Sequence, residues 1–351
     1  TMARAAHILL AKDFLRLRLT DDYATDPTDA SGTMLFNIRE RRWSARVVSA
    51  LGLDPKLLPA VRASGEIAGH VTDGAARATG LPRGVPVVVG GGDAECAAFS
   101  LALERTPDAA LVSIGTAGQV FAVTDAPTID PLGRIQTLCY VTPHQWHVMA
   151  AILAAGEALR WLGDVVGARD LKPLLSEAGE TAPGASGLLF IPSLLGDRSP
   201  RMDPHSRGAF VGLTRSHTRA HLARAVIEGV AFALRDALEA LYANHLQPSR
   251  LLLTGGPARH PLWRRILADA MALPVTATEN EHGSAFGAAR LAARACGDDP
   301  VSGSVLHVSA AVSPDGATVT VYDQLYQTYR SVYDALRPAF HTLDAMSSPD
   351  D

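Results

Sequence analysis

The sequence predicts an α/β protein of two lobes, and three observations predict it. Strand-like apolar runs alternate with amphipathic, helix-like ones along most of the chain. Glycine-rich turns follow three of the strand-like runs, as happens where a backbone must approach a ligand closely. Finally, 351 residues with 47% hydrophobic and 19% charged side chains suffice for two well-buried domains.

Residues 1–107 mix helical and loop patterns. "RWSARVVSALGL" (42–53) has the apolar spacing of a helix, with Gly52 near its stop. "GEIAGHVTDGAARATGLPRGVPVVVGGGD" (65–93) reads as loop, short helix, Gly/Pro turn and buried strand. Composition shifts after "LERTPD", so a hinge is expected near 103–110, separating residues 1–107 from 108–345. "AALVSIGTAGQVFAVT" (109–124) is a β-hairpin with a tight tip at Gly115–Gly118. "IQTLCYV" and "HVMAAILA" are further strands.

A long helix should follow Thr218, since Leu222, Val226, Val230, Leu234, Leu238 and Leu241 form one apolar face. Residues 250–278 read strand, glycine turn, helix, strand. "GSAFGAARLAARACG" (283–297) is a small-residue helix suited to close packing. "ATVTVYDQLYQTYRSVYDALRPAF" (317–340) gives a last strand and helix, and "DAMSSPDD" a loose tail, flexible over 346–351.

Net charge is −4 without a basic block, which argues against nucleic-acid partners. Three separated cysteines with no CxxC argue against a disulfide framework or a structural zinc and suit a reducing cytoplasm. No run reaches the roughly 18 apolar residues of a membrane span. The opening "TMARAAHILLAKDFLRLRLTD" is basic and partly apolar but lacks a cleavage pattern, which argues against a transit peptide. It reads like the middle of a helix, as if a longer chain had been cut there.

Three places could carry chemistry. Asp93, after Gly90–Gly92, is either the N-cap of a helix through "AECAAFSLAL" or a general base at the mouth of a strand. Glu95 would face away from it on a helix. The tip Gly115-Thr116-Ala117-Gly118 is either an ordinary hairpin turn or a cradle for phosphate oxygens. Gly255-Gly256-Pro257 is a strand–helix turn that many folds place against a nucleotide, though GxGxxG spacing is lacking, which disfavours a nicotinamide-dependent oxidoreductase. His217 and His221 do not make a metal motif. "GDRSPRMDPHSRG" (196–208) reads as a surface loop or subunit contact, and Trp161 and Trp263 as core anchors.

"GAFVGLTRSHTRAHLARAVIE" (208–228) resembles the C-terminal signature of the FGGY carbohydrate kinases. Gly208, Phe210, Gly212, Leu213, His221, Leu222, Ala225, Val226, Ile227 and Glu228 meet that pattern throughout. "KDFLRLRLT", "TDASGTMLF", "GGGDAECAA", "IGTAG", "LTGGPARHPLWRRILAD" and "SAFGAA" follow in the order seen in the xylulokinase branch, over roughly residues 8–340.

The resemblance implies an actin-like, ribonuclease H-like fold whose two lobes enclose sugar and MgATP. It implies Asp93 as catalytic base, Gly115, Thr116 and Gly118 in the phosphate-contacting loop, and Gly255, Gly256 and Pro257 on the adenosine side. ATP and Mg2+ are the implied cofactors, the cytoplasm the compartment, and a homodimer a usual assembly. D-xylulose, converted to its 5-phosphate, is the implied substrate; ribulose, gluconate or glycerol, or a non-catalytic nucleotide-binding role, are the alternatives. Ala94 stands where the branch often has a Gln or Asn that touches substrate, and Glu157 where a smaller residue is common. Nothing corresponds to the family's first phosphate loop with its metal-holding Asp, so the chain as given is expected to be inactive alone.

Overall fold

The computed structural model describes residues 5–278, 283–298 and 308–347. The first part holds α1 (Ala11–Thr20), β1 (Ala24–Thr25), α2 (Pro27–Gly32), β2 (Phe36–Asn37), β3 (Arg42–Trp43) and α3 (Ala45–Ala50). It continues with β4 (Ala60–Val61), β5 (Ile67–His70), α4 (Asp73–Thr79), β6 (Pro86–Val88) and α5 (Asp93–Ser100). Capping decides the short helices. Asp26 accepts from the Thr28 and Asp29 amides with Pro27 at the first helical position, Ser44 accepts from Val47, and Thr72 from Ala75.

Two readings of this part are corrected. Residues 67–70, expected as loop, form β5 and pair antiparallel with β6. The valine run there is not a buried central strand: Pro86 is exposed, Val87 and Val88 are half-buried, and only Val89 is enclosed. Among the described residues the β5–β6 sheet has two strands, which leaves β6 with no strand on its other edge.

The second part begins with β7 (Ala109–Ile114), β8 (Gly118–Thr124), β9 (Gln136–Cys139), β10 (Trp146–Ile152), α6 (Gly156–Val165) and α7 (Leu171–Glu180). Then come β11 (Leu189–Ile191), β12 (Ala209–Val211), α8 (Arg219–Ala243), β13 (Arg250–Thr254), α9 (Pro261–Met271) and β14 (Val275–Ala277), and last α10 (Gly283–Ala295) and α11 (Gly316–Ser347). One six-stranded sheet runs β14-β13-β7-β8-β10-β9. β7, β13 and β14 are parallel, while β8, β10 and β9 add antiparallel. The hairpin has the expected register, Ile114 opposite Gly118.

Thr218 opens α8, and His221 accepts from its amide. The one-sided apolar face is an underestimate: every residue from Ala223 to Leu234 is buried, because the helix is packed by the sheet, α6, α7 and α9. Arg224 and Glu228, charged positions in that interior, pair at 2.5 Å, and Tyr322 donates its hydroxyl to Glu228.

The expected strand at 317–321 is not formed; the whole of 316–347 is one helix. Asp315 accepts from the Thr318 amide and hydroxyl at its start. Tyr322, Tyr326, Tyr329, Tyr333 and Phe340 then recur at helical spacing and are buried, which outweighs the β-branched run. The helix continues through Ser347, into the stretch expected to be loose; 348–351 lie outside the described residues. The small-residue helix α10 packs against α5 as its composition predicts. A Cβ at Gly287 would lie 1.7 Å from the Cys96 carbonyl oxygen. Among the described residues no helix is long and apolar enough to cross a membrane.

Candidate active site

Gly92, not Asp93, is the N-cap of α5. Asp93 is the first helical residue, exposed, and its carboxylate accepts only from the neighbouring Ala94 amide, at 2.8 Å, among the described residues. Asp93 is thus not the N-cap itself, and its side chain is exposed. The preceding glycines are required by packing. A Cβ on Gly91 would meet Val141 at 2.6 Å, and one on Gly92 would meet the Glu95 carboxyl at 2.3 Å.

Behind Asp93 lies a charged cluster that single-residue reasoning did not assemble. Lys12 Nζ pairs with Asp13 at 2.7 Å, Asp26 at 3.1 Å and Asp29 at 3.3 Å. Thr28 donates its hydroxyl to Asp26 (2.6 Å) and accepts from the Gly92 amide (2.8 Å), so α2 is tied to the turn before Asp93. Ser64 donates to Asp26 as well, at 2.7 Å. Burial pulls Lys12 down, but the charges of Asp26, Asp13 and Asp29 outweigh it and hold its pKa above the usual lysine value. Lys12 and Asp13 fall in "KDFLRLRLT", and Asp26, Thr28 and Asp29 just before and within "TDASGT", so the motifs flagged these segments but not their meeting point; Ser64 lies in neither.

Glu95 does turn away from the solvent-facing Asp93, and it turns inward. It is buried, and burial together with the charges of Asp26, Asp29 and Asp93 pushes it up to about 8. Its Oε1 is 3.6 Å from Nε2 of His147, a fully buried ring on β10 that burial pushes down to about 3. Near neutral pH both are therefore uncharged.

The other two glycine turns meet at one end of the large sheet. Gly115, Thr116 and Ala117 are exposed at the β7–β8 tip. The start of α6 takes up the tip's carbonyls: the Gly156 amide donates to Gly115 and the Ala155 amide to Thr116, both at 2.9 Å. Among the described residues the Thr116 hydroxyl has no hydrogen-bond partner, so it is available at the tip. Gly255 has φ +96°, and a Cβ there would lie 2.1 Å from the Ile114 carbonyl oxygen. The second turn is thus pressed onto the strand that leads into the first.

Between them opens a cavity of about 460 Å³, lined by Gly115, Thr116, Gly256 and Pro257 with Arg160 and His260. Leu159, Leu171, Leu175 and Trp263 provide apolar wall, a mixture typical of small-molecule sites. Arg160 is paired with Glu157 on the same helix. His260 caps α9, accepting from the Leu262 amide, and burial, with Arg264 nearby, lowers its pKa. Gly118 does not line this cavity. It is buried against Ala155, Leu234 and Ile152, where a side chain would hold the strand off its neighbours.

A narrow crevice joins the two halves. Ala94 and Ala97 of α5 line it together with Ser113 of β7, Gln119 of β8 and Thr254 of β13. Asp93's helix therefore abuts the strand ends that carry both glycine turns.

Trp263 is a core residue, as expected, and Trp161 stacks on Phe190 and Phe210. The 196–208 segment is less superficial than a surface loop: Ser199, Asp203 and Ser206 are buried, and Arg201 is bound to Asp236 of α8. The rings of His217 and His221 lie 5.4 Å apart, and among the described residues no three His, Cys, Asp or Glu side chains could hold a metal ion.

Comparison with known proteins identifies the same family over most of the chain. The profile of the FGGY family of carbohydrate kinases, C-terminal domain, matches residues 110–296, and that of the family's N-terminal domain matches residues 1–100. The xylulose kinase of Escherichia coli K12 is 34% identical over 335 residues, covering 94% of this chain and 69% of that one. Among solved structures, a xyloylose kinase from Brucella ovis superposes with a TM-score of 0.90 at 36% identity, over 96% of this chain and 70% of that one. A xylulose kinase from Rhodospirillum rubrum gives 0.88 at 31%, over 96% and 69%.

Proposed function

The chain belongs to the FGGY family of carbohydrate kinases, and from that premise we propose that it phosphorylates D-xylulose to D-xylulose 5-phosphate. Its fold is the actin-like, ribonuclease H-like one of two lobes, and as a sugar kinase it uses ATP as co-substrate. The observation that carries the proposal is the convergence of Asp93's helix and both glycine turns on the ends of β7, β8 and β13.

Asp93 is assigned as general base. Its free carboxylate oxygen accepts the proton of the attacking sugar hydroxyl as the sugar oxygen bonds to the γ-phosphorus and the bond to the departing ADP breaks. Thr116 offers its hydroxyl to phosphate oxygens, while Gly115, whose amide is given to the Ala117 carbonyl, and Gly118 shape the loop that presents it. Gly255 and Gly256 let the backbone approach the adenosine side, with Pro257 forming part of its wall. Mg2+ would come with the nucleotide and offset the charge of its phosphates; the described side chains form no cage of their own for it.

Residues 1–107 are assigned to the sugar-binding lobe and 108–345 to the nucleotide-binding lobe, in a homodimeric protein of the cytoplasm. Neither nucleic acid nor membrane is a proposed partner.

Ala94 supports a second reading. It lines the crevice beside Asp93 with a methyl group only, so no side-chain hydrogen bond to sugar comes from that position. Ribulose, gluconate or glycerol is then the acceptor. Sugar-dependent ADP release by the full-length gene product across these four compounds tests both readings. The highest kcat/KM for D-xylulose is expected. A higher value for another acceptor installs that one, and ATP binding without sugar-dependent turnover overturns the enzyme assignment.

A further inference from the structure

A second cavity, of about 430 Å³, shares no lining residue with the nucleotide-side one. It is a groove between α8 and α11. α11 turns Arg330, Asp334 and Arg337 into it at helical spacing, α8 turns Asp236 and Glu239, and Arg134 and Arg201 close its end.

Several of these charges are already engaged. Arg201 holds Asp236 at 3.0 Å and 2.5 Å while lying 3.4 Å over the Tyr333 ring, and Tyr326 donates to the other Asp236 oxygen. Arg134 forks onto Asp130. Others are open. Among the described residues Arg330 makes no ion pair, touching only the Tyr326 ring at 5.9 Å, and Asp334 has no partner at all. Arg337 gives only its Nε to Asp203, and Glu239 has only Arg235, at 3.6 Å. Most telling is Arg201 Nη1, which is buried with no acceptor. Arg330 and Asp334 are one turn apart on α11, yet they are not paired with each other.

The groove therefore presents open guanidinium donors beside open carboxylate acceptors. A bare anion would satisfy the arginines and be repelled by Glu239 and Asp334. A neutral polyol would satisfy the carboxylates and leave the arginines unanswered. A phosphate ester carrying hydroxyls satisfies both: the phosphate takes the planar guanidinium forks, and the hydroxyls donate to the carboxylates. We infer that this groove is a second ligand site, for a small phosphorylated polyol. It is separate from the proposed reaction and does not depend on the sugar assigned there. A compound of the product's class bound here would let the chain register the level of sugar phosphates.

Calorimetric titration of the full chain tests this, with D-ribose 5-phosphate as probe and D-ribose, inorganic phosphate and L-glutamate as comparators. One site is expected, tighter for the ester than for any comparator. Arg330→Gln and Arg337→Gln should each weaken it about tenfold, as loss of a charge-assisted phosphate contact does. Asp334→Asn should weaken it less, and Asp93→Asn should leave it unchanged. Both arginines are exposed on α11, so the variants retain the fold. Unchanged affinity in both arginine variants overturns the site. So does equal binding of phosphate alone or of zwitterionic glutamate, and so does loss in Asp93→Asn, which would place the ester in the active-site crevice.

Discussion

The two sides of the candidate site are built on different physics. The nucleotide side is mostly backbone and apolar wall: the β7–β8 tip, the Gly255–Pro257 turn, and Leu159, Leu171, Leu175 and Trp263. Its precision is steric, since Gly255 lies against Ile114 with no room for a Cβ. Asp93's side is electrostatic: one lysine set among three aspartates, with a buried glutamate and histidine behind them. A steric site tolerates changes of charge and fails on added atoms. An electrostatic one tolerates atoms and fails when a charge loses its counterpart.

The largest effect should come from the one carboxylate that has been left free. Asp93→Asn should lower sugar phosphorylation about 10³-fold, the contribution expected of a general base, while ATP binding, measured by calorimetry, stays near wild type. Near-normal turnover would return Asp93 to a merely structural role. Next is Lys12→Met, which leaves Asp26 and Asp29 without their cation and Asp13 with Arg16 alone. Removing one partner of such a buried group costs about 3 kcal/mol, visible as a lowered urea midpoint. An unchanged midpoint would mean that the three carboxylates are stabilised by other groups. Gly255→Ala should be milder for stability, about 2 kcal/mol for a crowded residue at positive φ. It should nonetheless raise the Kd for ATP, because the two turns must move apart; ATP binding as tight as wild type would show that the turns meet by coincidence.

The same contrast explains what could be read without a structure. The nucleotide side is local in sequence: a two-strand hairpin and a strand–turn–helix, each specified within about thirty residues by alternation and glycine. Both formed where expected, as did the close packing of α10 on α5. The Lys12 cluster is long-range. Lys12 and Asp26 are on different elements, and no periodicity says that α1 and α2 converge on the turn before Asp93. Glu95 was visible as a helix residue, but its burial depends on the space that Gly92 leaves. The start of α11 was misread because Thr318, Val319, Thr320 and Val321 favour a strand locally, whereas the tyrosine stripe that wins begins only at Tyr322.

The dependence on pH sharpens the comparison most, because it separates burial from charge. Glu95 is held up at about 8, from an ordinary 4.5. Between those values the folded protein keeps a proton that the unfolded chain has released, so this group makes stability fall as pH rises. His147 is pushed from 6.5 to about 3, so between those values the unfolded chain binds a proton the folded protein refuses, and stability falls as pH drops. The two slopes oppose each other from 4.5 to 6.5. Above 6.5 only the Glu95 slope remains, at about 1.4 kcal/mol per pH unit, or about 2 kcal/mol between pH 6.5 and 8. Glu95→Gln keeps the shape of the protonated carboxyl and cannot ionise. Its stability should match wild type at pH 4.5 and stay level from 6.5 to 8 where wild type declines, measured by urea unfolding at each pH. Parallel curves would show that Glu95 ionises without cost, and that its place on the inner face of Asp93's helix is solvated in solution.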